Sequence, residues 1–133
     1  MNFMLLKKTI IDQLSLEAKQ SPRLRMNFNL HMSFDDAVQR MFNAIEPGAK
    51  IPIARHQHSN ETLILIRGKL KVLIYNQNKE IVEESILDLK TGNIGYHIFQ
   101  NTWHTVQSLE PGTVVFETRE GPYKPLEIKD ILK

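Results

Sequence analysis

Short apolar segments rich in Leu, Ile and Val, each followed by a turn sequence, constrain the fold of this chain more than any other feature. Turns are predicted at EPG (46–48), NQNK (76–79), KTGN (90–93) and LEPG (109–112), where Gly, Pro and Asn cluster. Strands are predicted between them, over residues 39–45, 50–58, 61–66, 69–75, 81–89, 104–108 and 113–119. Many short strands at this spacing are typical of an antiparallel sandwich or barrel, so the chain is predicted to be mainly β.

One helix is predicted before the strands, over residues 5–19. Leu6, Ile10, Leu14 and Leu16 give it an apolar face, and Pro22 in the following QSPR sequence cannot continue it. A chain of 133 residues suits one domain. We therefore expect an N-terminal helix, within residues 1–20, packed on a β-barrel formed by residues 21–133.

The composition narrows the classes of partner and site. The chain has no cysteine, so disulfides and thiolate metal sites are excluded. A net charge of +2 is too small to indicate a nucleic-acid partner. The lysines of the N-terminal segment follow its apolar patch, the reverse of a signal peptide, and no apolar run is long enough to span a bilayer. We expect a cytoplasmic protein with no membrane partner.

Residues 23–32, RLRMNFNLHM, alternate between polar and apolar side chains. Because side chains on a strand point alternately to its two faces, the pattern predicts one strand with an apolar and a polar face. The apolar face carries Leu24, Met26, Phe28, Leu30 and Met32. The polar face carries Arg23, Arg25, Asn27, Asn29 and His31. That polar face either meets solvent or lines a binding pocket.

A candidate metal site follows in RHQHSNETLILIRG, residues 55–68. His56 and His58 are two residues apart on a predicted strand, so both imidazoles are expected on one face. Glu61 follows after a tight turn, and NTWHT supplies His104 on a later strand. Three imidazoles and a carboxylate suit one divalent transition metal, which is zinc, iron, manganese or nickel. The alternative is a surface hairpin that carries two histidines by chance.

Several motifs carry a resemblance to a known family. Glu61 followed by Gly68 resembles the first cupin motif, and Gly95 followed by His104 resembles the second. The segments SPRLRMNFNLHMS, VQRMFNAIEPG, ETLILIRGKLKVLIYN, TWHTVQSLEPGTVVFE and EGPYKPL are similar to the WbuC family of cupin-fold proteins. The resemblance implies a small single-domain cupin, that is, a double-stranded β-helix or jelly-roll barrel, with the N-terminal helix beside it. It also implies a metal site in the barrel mouth and a link to bacterial surface-polysaccharide metabolism.

The sequence departs from the family pattern at two places near the predicted site. The family has four residues between its His-x-His pair and its Glu, whereas only Ser59 and Asn60 separate His58 from Glu61. Without a gap, Ala54 and His56 align with the two family histidines, so His58 either replaces the missing ligand or the site has lost one. The family also prefers Pro-Ala-Gly in the loop before His104, and this chain has Phe-Gln-Asn at residues 99–101.

The barrel implied by the resemblance favours the pocket over the solvent for the polar face of residues 23–32. Arginine forks suit carboxylate or phosphate, so we expect a small anionic or sugar-like ligand. The predicted ligand-binding residues are Arg23, Arg25, Asn27, Asn29, Gln39, Arg40 and Tyr123. His31 is the candidate general acid or base.

Three functions stay open. In the first, the chain is a metal-dependent enzyme that acts on a sugar by isomerisation, epimerisation or, with iron, oxygenation. Alternatively it is a metal-free sugar-binding or sensor module, or a dimeric interaction protein with a vestigial pocket. In that last alternative the apolar N-terminal helix and an outer sheet form the dimer contact. A homodimer is expected.

Overall fold

The protein is a pair of five-stranded antiparallel sheets with one helix packed outside them. The computed structural model describes residues 2–132. The helix is α1 (Lys8–Gln20). The strands are β1 (Arg25–Asn29), β2 (Val38–Ile45), β3 (Ile53–Ala54), β4 (Glu61–Arg67), β5 (Lys69–Tyr75), β6 (Ile81–Asp88), β7 (Gly95–Ile98), β8 (Trp103–Ser108), β9 (Thr113–Glu120) and β10 (Ile131–Leu132). A 3₁₀ turn, Ile128–Asp130, precedes β10.

The strand order places the chain's early and late strands side by side. The first sheet runs β1-β2-β9-β4-β7 and the second runs β10-β3-β8-β5-β6. In the first sheet, Gln39 of β2 pairs with Arg119 of β9, and Arg119 pairs in turn with Glu61 of β4. In the second, His104 of β8 lies between Ala54 of β3 and Ile74 of β5. Residues far apart in sequence therefore meet on the facing inner surfaces of the sheets.

Two apolar clusters hold this arrangement together. One lies between the sheets and contains the buried residues Ile45, Leu63, Leu65, Leu70, Val72, Leu87, Ile98 and Val115. The other lies under α1, where Ile11, Leu14 and Ala18 pack on Phe42, Ala44 and Val114, with Met26, Phe28 and Leu30 beside them. The apolar face of β1 is thus covered by the helix, and its polar face is directed toward the other sheet.

The junction between β4 and β5 depends on a glycine. Gly68 has a φ of +89°, and a Cβ at this position would lie 2.6 Å from the Cα of Thr113. The preceding Arg67 reaches α1, where its guanidinium donates hydrogen bonds to Asp12 and, at 2.8 Å, to Ser15 Oγ. The turn therefore closes tightly on β9 and also anchors the helix.

The predicted fold class is confirmed: the structure is mainly β, with one N-terminal helix. The strand predicted over residues 50–58 is wrong, because only Ile53–Ala54 pair as a strand. Beyond Ala54 the backbone bonds to the C-terminal segment instead, with Arg55 N donating to Asp130 O at 3.0 Å. Strands β7 and β10 were not predicted, since each is short. Within residues 2–132, no helix has the length and apolar character needed to cross a membrane.

Candidate metal centre

Three side chains that can bind a metal meet at one end of a cavity between the sheets. His56, Glu61 and His104 each offer a ligand atom, and these atoms all lie within 4.8 Å of one another. Glu61 and His104 are buried, and His56 is partly buried. The cavity has a volume of about 440 Å³ and is lined on the other side by β1. The cluster is therefore shielded from bulk water yet open to a small molecule in the cavity.

Glu61 is the centre of this cluster. It begins β4, its side chain is only 4% exposed, and its Oε1 lies 2.6 Å from His104 Nε2. Its Oε2 lies 3.1 Å from Arg119 Nη2 and 3.9 Å from His56 Nε2. Burial alone would raise the pKa of Glu61, but the hydrogen bond and charge of His104 and the charge of Arg119 outweigh burial and lower that pKa to about 2. Glu61 is thus an anion at any physiological pH.

His104 is oriented by its own backbone neighbourhood. Its Nδ1 lies 2.8 Å from the carbonyl oxygen of Thr102, so the Nδ1–H donates there and Nε2 faces Glu61. Burial lowers the pKa of His104, but the hydrogen bond to Glu61 and its negative charge reverse the effect and raise it. A backbone carbonyl on the far nitrogen is the outer contact that usually orients a metal-binding histidine.

His56 reaches the cluster because its neighbours are held on the opposite side. Gln57 Nε2 donates to Asp130 Oδ1 at 2.6 Å, and Arg55 Nε donates to the same oxygen at 3.2 Å. Burial, followed by the positive charge of Arg119, lowers the pKa of His56 to about 4. The imidazole is therefore neutral near pH 7, which is the form that binds a metal.

The loop before His104 supports His56 from the other side. Asn101 N donates to the carbonyl oxygen of His56 at 2.8 Å, and Gln100 N donates to Asn60 Oδ1 at 2.9 Å. Asn101 has a φ of +66°, in the left-handed region where Gly and Asn are the residues most often found. Asn101 thus adopts the kind of conformation that the glycine of the WbuC loop pattern would allow.

Two functional candidates were missed in the sequence. Arg119 donates to both buried acids, Glu61 and Glu117, the second at 2.7 Å, and Asn43 Nδ2 donates to Glu117 at 3.2 Å. Burial and the negative charge of Glu61 raise the pKa of Glu117 to about 7. The signal was present in β9, whose sequence TVVFETRE places Glu117 and Arg119 two residues apart and so on one face of the strand. It could not be recognised, because both faces of β9 are covered and alternation does not tell which one meets the cavity.

His58 does not join the cluster. It was predicted as a ligand on the face of His56, but the chain bends at Gln57 and His58, so strand alternation does not apply. His58 is exposed and lines a smaller, neighbouring cavity of about 240 Å³ rather than the main one. The shortened turn is instead fastened to β9, with Ser59 Oγ donating to the carbonyl oxygen of Glu120 at 2.8 Å.

The structure places most of the predicted ligand-binding residues along the main cavity. The lining includes Arg23, Arg25, Asn27, Asn29, His31, Gln39 and Tyr123. Arg40 is the exception, because it is exposed and does not line the cavity. Gln39 is almost fully buried, and its Nε2 donates to the carbonyl oxygens of Asp36, Phe34 and Ser33 at 3.1–3.5 Å. Its amide therefore holds the loop before β2.

His31 presents one free ring nitrogen to the cavity. Its Nδ1 lies 3.1 Å from both the N and the O of Arg40, and that O already accepts the Leu30 N–H at 2.8 Å. We therefore assign Nδ1 as the acceptor of the Arg40 N–H, which leaves the proton on Nε2. Within residues 2–132, the buried Nε2 has no hydrogen-bond partner. His31 thus offers a donor to a bound molecule.

The aromatic side chains of Phe34 and Tyr123 close the cavity near His31. Their ring centroids are 4.8 Å apart, and Tyr123 N donates to the carbonyl oxygen of Phe34 at 2.6 Å. Both side chains are exposed on their outer side. They form part of the rim through which a molecule would enter.

The comparisons with known sequences give a family. The profile of a domain of unknown function, DUF6016, matches residues 6–87, more than half of the chain. The chain belongs to this family. The DUF6016 match includes His56 and Glu61 but ends before His104 and Arg119. No curated protein sequence matches the chain.

Solved structures similar to this DUF6016 protein are cupin-fold proteins. KdgF from Halomonas sp. is 16% identical with a TM-score of 0.59, over 78% of this chain and 84% of KdgF. The capsular polysaccharide assembling protein CapF of Staphylococcus aureus is 20% identical with a TM-score of 0.55, over 68% of this chain and 25% of CapF. Oxalate decarboxylase of Bacillus subtilis, which has Mn(II) centers, is 12% identical with a TM-score of 0.56, over 82% and 27%. The cupin fold is confirmed; WbuC membership stays a prediction.

Proposed function

We propose that this DUF6016 protein holds a divalent transition metal with His56, Glu61 and His104, and binds a small anionic or sugar-like molecule in the cavity beside it. The observation that carries the proposal is the approach of three ligand atoms to within 4.8 Å of one another at the buried end of a 440 Å³ cavity. Two imidazoles and one carboxylate form a donor set that suits iron(II) and zinc.

The surroundings of the three residues fit a metal in two further respects. His56 is neutral near pH 7, because burial and the charge of Arg119 lower its pKa to about 4. His104 has its Nδ1–H engaged by the Thr102 carbonyl oxygen, which leaves Nε2 as the ligand atom. His104 would have to release the Nε2 proton that it donates to Glu61, whereas His56 is already neutral. Both Nε2 atoms already face Glu61, so the ligand atoms are oriented for a metal.

The wall of the cavity supports binding of a molecule that carries hydroxyl groups. Asn27 and Asn29 offer donors and acceptors, and the free Nε2–H of His31 offers another donor. A metal bound at the cluster would supply Lewis-acid chemistry to an oxygen of that molecule. His31 would hold or move a proton at Nε2, and Arg119 would limit the negative charge around Glu61 and Glu117.

A link to polysaccharide metabolism is part of this proposal. CapF, a capsular polysaccharide assembling protein, shares the fold, and the WbuC resemblance points in the same direction. Both arguments are by analogy of fold and motif, and function does not follow from fold alone. The reaction type and the predicted homodimer therefore stay hypotheses to be tested separately.

One observation favours a metal-free binding module as the second candidate. Both oxygens of Glu61 already have protein partners, since Oε1 bonds to His104 and Oε2 to Arg119. Ala54, which aligns with the first family histidine, lines the cavity but offers no ligand atom. With only three ligands and a self-paired carboxylate, the cluster could serve as a fixed polar wall for a sugar.

Metal content separates the two candidates. Protein purified without an immobilised-metal column would be incubated with iron(II), manganese(II) or zinc, desalted and analysed by mass spectrometry. We expect near-stoichiometric metal in the wild type and a loss of at least tenfold in His56→Ala and His104→Ala. His58→Ala is the matched control, because His58 is exposed outside the cluster, and it should retain full metal content. Absence of metal from the wild type, or equal loss in His58→Ala, would overturn the proposal.

A further inference from the structure

The end of the cavity farthest from the cluster contains a cation, Arg25, that has no counter-ion among residues 2–132. Arg25 begins β1, is partly buried and lines the cavity. Its Nε is shielded from solvent and, within residues 2–132, has no hydrogen-bond partner. Burial, followed by the positive charge of Arg23, lowers the pKa of Arg25, which is the reverse of what a neighbouring carboxylate would do.

The net charge of the cavity lining is positive, like the charge of Arg25. Apart from histidine and the phenol of Tyr123, its ionisable lining consists of the cations Arg23, Arg25, Arg119 and Lys124 and the acids Glu61 and Glu117. Both acids are bonded to Arg119 at 3.1 and 2.7 Å. The remaining cations are therefore left to attract a negative group from solution, and a cleft concentrates their field.

Strand register gives the separation between this end and the metal cluster. Arg25 pairs with Ile45 at one end of β2, whereas Gln39 at the other end pairs with Arg119, which pairs with Glu61. At about 3.3 Å per residue, the two rows lie roughly 20 Å apart along β2. The long Arg25 side chain covers part of that distance. A ligand that touches both ends is longer than a single neutral sugar ring.

The polar side chains between the two ends are neutral. Asn27 and Asn29 follow Arg25 on the cavity side of β1, and Asn27 Nδ2 donates to Asn29 Oδ1 at 2.5 Å. Amides provide donors and acceptors for hydroxyl groups, and guanidinium forks bind carboxylate or phosphate through paired hydrogen bonds. The order along β1 is thus an anion site, then hydroxyl partners, then His31.

We propose that the cavity binds an elongated ligand whose oxyanion, a phosphate or a carboxylate, is held by Arg25 with Arg23, while its hydroxyl-bearing end lies at the His56–Glu61–His104 cluster. This inference rests on the proposed function, since it concerns the ligand of the same cavity. It assigns the substrate class to phosphorylated or acidic sugar derivatives rather than neutral sugars. Arg23 is exposed and acts as the outer cation of the pair.

Isothermal titration calorimetry at low ionic strength tests the assignment. The probes are glucose 6-phosphate, glucuronate, inorganic phosphate and glucose, with UDP-glucose as an elongated anion and maltose as an elongated neutral sugar. Each is titrated into wild type, Arg25→Gln and Arg40→Gln. Arg40→Gln is the matched control, because it removes the same charge from the neighbouring strand β2 at an exposed residue that does not line the cavity. We expect at least one anionic probe to bind wild type tenfold or more tightly than glucose. That preference should be lost in Arg25→Gln and kept in Arg40→Gln.

The same titrations distinguish phosphate from carboxylate as the bound oxyanion. They also distinguish failure of this inference from failure of the proposed metal site. Tighter binding of glucose 6-phosphate than of glucuronate identifies phosphate, and the reverse identifies carboxylate. Equal binding of charged and neutral probes, failure of every probe to bind, or an unchanged preference in Arg25→Gln would overturn this inference. If the protein binds metal but its anion preference is the same in wild type and Arg25→Gln, only the anion-site inference is overturned. An Arg25-dependent anion preference in protein that takes up no metal would overturn the proposed metal site alone.

Discussion

The two ends of the cavity both carry charged groups but differ in how those groups are paired. At the cluster end, Glu61 bonds to His104 and Arg119, and Arg119 bonds to Glu117, so each buried charge has a partner. At the other end, Arg25 is partly buried beside the like charge of Arg23, and its Nε has no partner within residues 2–132. At the cluster end the buried charges pair with one another, whereas the cations of the other end have no anion beside them among residues 2–132.

This difference separates groups that stabilise the fold from groups that are placed for a ligand. A buried charge that loses its partner is left in a medium of low polarity, so breaking the network costs stability. An unpaired guanidinium at the cavity wall already destabilises the ligand-free protein, because it is partly desolvated without a counter-ion. Removing it should cost binding rather than stability.

The largest effect is expected at the centre of the network. Glu61→Ala leaves His104 and Arg119 without their shared anion, so the free energy of unfolding should fall by about 3–5 kcal/mol. Urea denaturation followed by circular dichroism measures this change. Glu84→Ala is the control: Glu84 pairs with Lys71 at 3.2 Å on the surface, and its loss should cost only about 0–1 kcal/mol. Equal costs for the two variants would refute the distinction between buried and exposed pairs.

A smaller effect, which depends on pH, is expected at Glu117. The pKa of this buried carboxyl is about 7, above its usual value of 4.5, so folding favours its protonated form. That contribution is fully present below about pH 4.5 and is lost as the pH rises through 7. In metal-free protein, the unfolding free energy of wild type should therefore fall relative to Glu117→Gln between pH 4.5 and 8, by up to about 3 kcal/mol. Parallel curves for the two proteins would show that Glu117 does not titrate in this range.

The smallest effect on stability is expected at the unpaired end. Arg25→Gln removes a partly buried cation that has no counter-ion in the part of the chain that the structure describes, so the unfolding free energy should change by less than about 1 kcal/mol. Thermal unfolding without ligand measures this, and the same scan with the anionic probe measures lost ligand stabilisation. A large destabilisation of the free Arg25→Gln protein would mean that Arg25 is structural, and the contrast between the two ends would fail.

Sequence patterns were sufficient for the elements whose periodicity is regular. The strand β5 was predicted over the residues it occupies, and the polar residues of β1 line the cavity while its apolar residues lie under α1. Two-residue alternation is an intrinsic property of a strand, so it survives without knowledge of neighbours. The same rule failed for His58, because the strand it assumed ends at Ala54.

The network around Glu61 could not be predicted, since it depends on strand order. Arg119 faces Glu61 because β9 is inserted between β2 and β4, a pairing between residues 58 positions apart. Alternation identifies which residues share a face but not which strand lies beside them. The contacts that hold the His56 segment are likewise tertiary, since Asp130 accepts from the neighbours of His56 and Asn101 donates to its carbonyl oxygen. No local sequence pattern predicts them.

Anomalous diffraction from crystals grown with the preferred metal tests the central claim most directly. Data collected on both sides of the metal's absorption edge locate the ion without assumptions about its ligands. We predict one strong peak within bonding distance of His56 Nε2, His104 Nε2 and a carboxylate oxygen of Glu61. A peak at the exposed His58 instead, or no peak at the cluster in crystals saturated with metal, would contradict the account.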